Sequence, residues 1–327
     1  MISVIIITYQ RSTFIQRAIN SVLSQTYKDF ELIVVDDNNP GTQYRRDLEK
    51  IMQQYEFMEN VKYIQHEYNK NGAAARNTGI AIAKGDYIAF LDDDDYFMPD
   101  RLEKLVSLLD DNPKYNGVYS SVIVTQNNKI NGFVEAKLNG NLKKELLLDQ
   151  FSFGTGSNLF FRTQTVKELN GFNETFLRHQ DIEFMLRFFD KNLLLSCEQP
   201  LVVKVQDDRS NEVDLYKLID VKKNYFKCFS EEIEKLELSD KEKFYQINYS
   251  LILDTAVSSK RYSEFFILRK KIRKLTKLSI RNYLRFLSLF VNNYIKIENI
   301  KYFIIRKKVI NIFKAETNFI HSIEKNF

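Results

Sequence analysis

Only two cysteines and three histidines occur in the 327 residues. Cys197 and Cys228 form no CxxC pair, and His66, His179 and His321 are scattered, so neither a zinc site nor a disulfide framework is expected. Two lone thiols fit a reducing cytosol. No run of about 18 apolar residues is present, which argues against a membrane-spanning helix. The opening stretch from Met1 to Ile7 has neither a basic leader nor a small-residue cleavage site, and it reads as a first strand, not a signal peptide. G-x-G-x-x-G is missing, as is a Gly-rich phosphate loop ending in Lys. Their absence removes the dinucleotide oxidoreductase and nucleotidyltransferase readings. Internal repeats are missing too.

Acids are almost absent from one long stretch. Between Lys260 and Lys314 stand 16 Lys and Arg against only Glu264 and Glu298, a charge of +14, so the rest of this +5 chain carries −9. An acidic body and a basic tail are two surfaces with different partners. The basic stretch is also rich in Phe, Leu, Ile and Tyr, including Phe265, Phe266, Leu268 and Ile272. Helices packing on one another, a peripheral anchor on an anionic membrane, a grip on an anionic polymer and an oligomer contact all fit that composition.

What is there begins with alternation. Apolar runs at residues 2–8, 30–35, 61–65 and 87–91 alternate with helical spacing at 13–25, 43–55 and 72–83. Near-continuous apolar strands alternating with helices predict a parallel sheet covered on both faces. From residue 116 the pattern changes: a hairpin over 118–125 and 129–134, then short strands at 158–162, 193–196 and 201–205, predict a mixed second half of the sheet. Past residue 213 only helical spacing remains: 215–235, 240–258, 263–276, 280–292 and a last long helix. The polar stretch 207–214 between them reads as a linker. The expected organisation is an α/β domain over residues 1–210 and a basic all-helical region over 211–327.

Four successive aspartates, Asp92 to Asp95, end the fourth apolar run. Four carboxylates in a row repel unless cations or donors offset them. They stand at the carboxyl end of a buried strand, where open α/β sheets place their ligands. A hard divalent ion such as Mg²⁺ or Mn²⁺, bridging carboxylate and phosphate oxygens, would supply the missing charge. Three other features converge on the same edge: Asp36-Asp37 after the second strand, Arg76 on the small-residue helix Gly72-Ala73-Ala74-Ala75-Arg76-Asn77-Thr78-Gly79, and Arg178-His179-Gln180-Asp181 opening a helix. Each has a plain structural reading as a turn, a snorkelling arginine and a helix-start acid. The functional readings are a nucleoside acceptor, a phosphate or base donor and a general base.

Taken in order, VIIITYQR, VVDD, GAAARNTGI, FLDDDD and HQDIEF resemble family 2 glycosyltransferases with the GT-A fold, over about residues 1–210. The resemblance implies a Rossmann-like mixed sheet flanked by helices, and an inverting, metal-dependent transfer of a sugar from a UDP-sugar. It implies Thr8, Tyr9 and Asp37 around the uridine, Arg76 near base or diphosphate, and Asp92 and Asp94 as the DxD pair. Asp92 would face the ribose and Asp94 would hold Mn²⁺ or Mg²⁺, with Asp93 a lesser member of the substrate-binding set. Asp181 would be the catalytic base, and Gly156, Ser157, His179 and Gln180 would border the acceptor and donor sugar. Ile7, Gln10 and Asn38-Asn39-Pro40-Gly41 depart from the common family pattern, which weakens individual nucleoside contacts. The variants that the chain resembles assemble bacterial capsule and cell-wall polysaccharide. A saccharide, lipid-linked or teichoic-acid-type acceptor is therefore expected, in a cytoplasmic protein peripheral to the membrane, with no nucleic-acid partner. The competing reading is a non-catalytic carbohydrate- or polymer-binding protein that kept the fold.

Overall fold

The computed structural model describes residues 1–206 and 214–272. The chain divides into two units, Met1–Asn211 and Glu212–Phe327. All of the expected linker 207–214 except Asp214, the helices past residue 272 and most of the basic stretch lie outside the described residues. Among those described, no helix is long and apolar enough to cross a membrane.

The first unit carries a nine-stranded sheet whose core is the parallel set β1 (Ile2–Thr8), β2 (Phe30–Asp36), β3 (Val61–Gln65) and β4 (Tyr87–Asp92). Their order is β3-β2-β1-β4, with β1 parallel to both β2 and β4. The helices α1 (Ile15–Leu23), α2 (Gln43–Met52) and α3 (Gly72–Ile82) connect them. Strands covered on both faces need apolar residues at successive positions, and Val4, Ile5, Ile6, Leu32, Ile33 and Val34 are all fully buried. Helix α3 lies close on β1: a Cβ at Gly79 would stand 2.6 Å from Ile5 Cγ2, too near for any side chain without displacement. The ends of these helices are set locally. Thr42 caps α2 by accepting from the Arg45 amide, and the Asn71 side chain accepts from the amides of Ala73 and Ala74 at the start of α3. Such caps each stabilise a helix by about 1 kcal/mol.

The mixed half follows as β5 (Tyr96–Phe97), α4 (Arg101–Asp111), β6 (Gly117–Gln126), β7 (Lys129–Val134), α5 (Lys143–Leu147), β8 (Phe160–Arg162), α6 (Thr163–Glu168), α7 (Gln180–Phe188) and β9 (Leu194–Gln206). Strand β8 runs antiparallel to β4 and continues the sheet to β6, β9 and β5, while β7 pairs with β6 as a hairpin. Two expected strands, 193–196 and 201–205, are one. The register against β6 jumps from Ser120–Cys197 to Ser121–Pro200, so Glu198 and Gln199 bulge out where Pro200 could not donate to the ladder. The two-residue β5 was not expected, because Tyr96-Phe97 is too short to show a pattern.

In the second unit the described helices are α8 (Leu215–Cys228), α9 (Ser230–Glu234), α10 (Leu238–Ser258) and α11 (Tyr262–Ile272). The expected helix 215–235 breaks at Phe229, whose ring meets that of Tyr225 at a tilt, with centroids 5.1 Å apart. Leu215, Leu218, Leu253, Ala256, Val257 and Phe265 form its core. Phe266 and Ile267 of α11 stay exposed.

Candidate active site

The strand order reverses between β1 and β4, and the crevice outside the carboxyl ends at such a switch point is where α/β sheets bind ligands. A cavity of about 530 Å³ opens there, within the range of small-molecule sites. Thr8 at the end of β1, Asp37 after β2, the first turn of α3 and Asp92 at the end of β4 all line it.

The four aspartates divide their work. Asp92 is the most open, and its Oδ1 accepts from Arg76 Nη2 at 2.7 Å. Asp93 is buried, and its Oδ2 accepts from the Thr8 hydroxyl at 2.6 Å. Burial pushes its carboxyl up to about 7, against the opposing pull of Thr8 and Arg11. Its first partner is thus Thr8, and the two expected substrate residues hold each other across the ends of β1 and β4. Asp94 faces the cavity and pairs with Arg11, while its main-chain carbonyl accepts from Arg17 Nη2 at 2.7 Å. Asp95 turns inward: Oδ2 accepts from Ser157 Oγ at 2.7 Å and Thr155 Oγ1 at 2.9 Å, and Oδ1 accepts from the Val205 amide. Burial likewise raises this acid, to about 6.

Ser157, expected beside the sugar, is fully buried. It donates to Asp95 and accepts from the Asp92 amide at 3.0 Å, so it clamps the acidic turn from behind instead of facing substrate. Its neighbour Gly156 does lie at the site, its Cβ position 3.9 Å from both Asp181 Oδ2 and Arg76 Nη2. Behind this loop Arg101 is fully buried. It donates to Asn158 Oδ1, to the carbonyls of Ser157 and Asn158 and to Ser120 Oγ, and its guanidinium lies over the Phe97 ring. Even with burial lowering it to about 9, Arg101 keeps its charge at neutral pH.

Asp37 was expected to accept from a nucleoside. Its oxygens already accept from the amides of Lys70 and Asn71 and from the Asn69 side chain, and Oδ1 lies 2.7 Å from His66 Nδ1. The carboxylate therefore organises the 66–71 loop that leads into α3, and a nucleoside would have to displace one of these donors. Tyr9 is half-exposed on the cavity wall.

Asp181 sits in the first turn of α7, after His179 in left-handed conformation (φ 59°). Its Oδ1 accepts from the Ile182 amide at 2.9 Å. Burial raises its pKa and nearby Asp92 adds to this, while Arg76 and the Ile182 amide oppose the rise. Arg76 links the two halves of the site. One nitrogen binds Asp92 and the other binds Gln180 Oε1 at 2.9 Å, with the guanidinium over Phe172. Gln180 is thus a tether for the base-bearing helix, and Gly72 leaves it room: a Cβ there would lie 3.2 Å from Gln180 Oε1.

Asp92 and Asp94 present oxygen donors only, a set that suits Mg²⁺ or Mn²⁺ and not a softer metal. Among the described residues no three acids, histidines or cysteines cluster to cage an ion. That fits an ion held by one or two carboxylates together with substrate phosphates.

A family profile decides the kinship: "Glycosyl transferase family 2" matches residues 3–169. The chain belongs to glycosyl transferase family 2. An uncharacterized glycosyltransferase of Haemophilus influenzae is 34% identical over 119 residues, 36% of this chain and 38% of that protein. The amylovoran biosynthesis glycosyltransferase AmsB of Erwinia amylovora is 29% identical over 194 residues, 57% of this chain and 62% of AmsB. WfgD of Escherichia coli, a UDP-Glc:alpha-D-GlcNAc-diphosphoundecaprenol beta-1,3-glucosyltransferase, is 31% identical over 193 residues, 59% of this chain and 71% of WfgD. The chain thus spans less than two thirds of the first two of these relatives. The crystal structure of S. aureus TarS 1-349 in complex with UDP superposes with a TM-score of 0.53 at 17% identity, covering 90% of this chain and 88% of that one. That likeness agrees with a GT-A fold. The matched segment includes all of the quoted motifs except HQDIEF, and the contacts of Arg11 and Arg101 and the Asp95–Ser157 clamp were not legible in the sequence. Their partners are distant in sequence: Arg11, the last residue of VIIITYQR, meets Asp94 83 residues on.

Proposed function

We propose that the protein is an inverting glycosyltransferase that moves a sugar from a UDP-sugar to a hydroxyl of a saccharide or lipid-linked acceptor, in the assembly of a surface polysaccharide. The observation that carries this is the Arg76 bridge. It joins the acidic floor of the cavity, through Asp92, to the start of α7, one residue from Asp181. A binding protein needs the cavity; it does not need a half-buried carboxylate of raised pKa beside it. The relatives point the same way: AmsB is named for polysaccharide biosynthesis and WfgD for a UDP-sugar donor and a lipid-diphosphate acceptor.

In this reading the uridine lies against Tyr9 and the 66–71 loop, and the diphosphate lies over the acidic turn. Asp94, with Asp92 beside it, would hold a divalent ion, which stabilises the charge developing on the departing diphosphate when it is bound. Arg76 spans Asp92 and Gln180 and keeps α7 in register with the donor. Asp181 takes the proton of the acceptor hydroxyl as its oxygen attacks the anomeric carbon from the face opposite the diphosphate. The acid carries that proton until it is released to solvent, and UDP leaves. The Asp95–Ser157 clamp and Arg101 hold the acidic turn and the Gly156 loop in place.

A panel of UDP-sugars with Mn²⁺ tests the donor assignment. One or a few are expected to raise the melting temperature and to be hydrolysed slowly to UDP. Equal indifference to every UDP-sugar and to UDP itself would remove the assignment.

A further inference from the structure

We propose that Arg11 is the resident counter-ion of Asp94, holding that carboxylate until a diphosphate draws the guanidinium away and opens Asp94 to a divalent cation. The inference rests on the metal reading above and adds an order to it: nucleotide and metal enter together. Arg11 Nη1 donates to Asp94 Oδ2 and lies 3.7 Å from Asp93 Oδ1. Among the described residues these two carboxylates are the only partners of its guanidinium. Its main-chain carbonyl lies 3.0 Å from Thr8 Oγ1, whose single proton it shares with Asp93 Oδ2. Apart from the Asp93 and Asp94 carboxylates no hydrogen bond among the described residues holds the guanidinium in place.

Arg17 and Arg76, also near the turn, are anchored. Arg17 is held by the Asp94 main-chain carbonyl and lies over the Tyr96 ring at 4.9 Å. Arg76 is held by Gln180 and Phe172 as well as Asp92. Among the described residues only Arg11 lines the cavity with a charge committed to nothing but acids. A guanidinium and a divalent cation cannot share one carboxylate oxygen without like-charge repulsion. A diphosphate offers Arg11 an acceptor of higher charge and offers the cation its remaining oxygen ligands. The exchange moves one positive charge onto the substrate and replaces it on Asp94 with two.

The test uses the full chain and Mn²⁺ alone, followed by the paramagnetic signal of the free ion, with and without UDP. Wild type is expected to bind Mn²⁺ weakly alone and tightly with UDP. Arg11→Gln is expected to bind Mn²⁺ alone about tenfold more tightly than wild type and UDP alone about tenfold more weakly. Arg11→Lys, which keeps the charge, should stay near wild type in both. A merely structural arginine would not produce a gain in metal affinity. Equal Mn²⁺ affinity of wild type and a folded Arg11→Gln without UDP, with UDP-assisted binding retained, overturns the proposal and leaves the metal reading standing. Failure of both proteins to bind Mn²⁺ even with UDP overturns the metal reading, and this proposal with it.

Discussion

Asp181→Asn is expected to lower turnover by about 10²–10⁴-fold, the usual contribution of a positioned general base. UDP affinity should stay within a fewfold of wild type, because Asp181 lies at the start of α7 and does not line the nucleotide cavity. The substitution keeps the shape and removes only the ability to take a proton. It should not harm the fold. A carboxyl whose pKa is raised by burial costs the folded state stability above that pKa, and Asn removes the cost. The melting temperature is therefore expected to hold or rise, which separates lost chemistry from lost structure. The same shift fixes the pH profile. The working form of the base is the anion, so turnover falls as pH drops through the raised pKa. The acid limb should thus lie above the ordinary Asp value of 3.8. A limb unchanged in Asp181→Asn would assign it to another group. Near-normal turnover in this variant would end the base assignment.

Asp94→Ala is expected to abolish the part of UDP binding that depends on Mn²⁺, a loss of about 100-fold or about 2.8 kcal/mol. Its effect without metal should differ in sign. Removing Asp94 frees Arg11 from its main partner, so metal-free UDP is expected to bind as well as in wild type or better. Asp92→Ala should behave differently, because it also releases Arg76 from one of its ties to the floor of the site. Calorimetric titration of UDP with and without Mn²⁺ reads both components. Retention of the full Mn²⁺ increment by Asp94→Ala would show that another group holds the ion.

The parallel half of the fold was legible because β1 and β2 are buried on both faces: the run at 2–8 begins and ends where β1 does, and the half-buried β3 still matches the run at 61–65. Patterns failed where the structure is decided at a distance. Strand β9 runs on past Pro200 through a register shift against β6, and the helix break at Phe229 has no Gly or Pro to mark it. The aspartate quartet shows the same limit at the site. Sequence placed it at a strand's end and singled out alternate members, but could not see which donors each would meet. Asp95 looks like its neighbours in the chain, yet it is committed to Ser157 and Thr155, some 60 residues on. Asp37 was legible as a strand-end acid, while its occupation by the 66–71 loop was not. Ser157 read as bordering the sugar as part of the loop Gly154-Thr155-Gly156-Ser157, while its side chain is fully buried against Asp95.

The central claim is that Asp181 directs attack on the face opposite the diphosphate, and the first-formed product of UDP-sugar hydrolysis tests it most directly. With an α-linked UDP-sugar turned over slowly by wild type, proton NMR recorded before mutarotation should show the β anomer of the free sugar, and Asp181→Asn should lose that signal. Release of the α anomer first, or undiminished hydrolysis in Asp181→Asn, would contradict it.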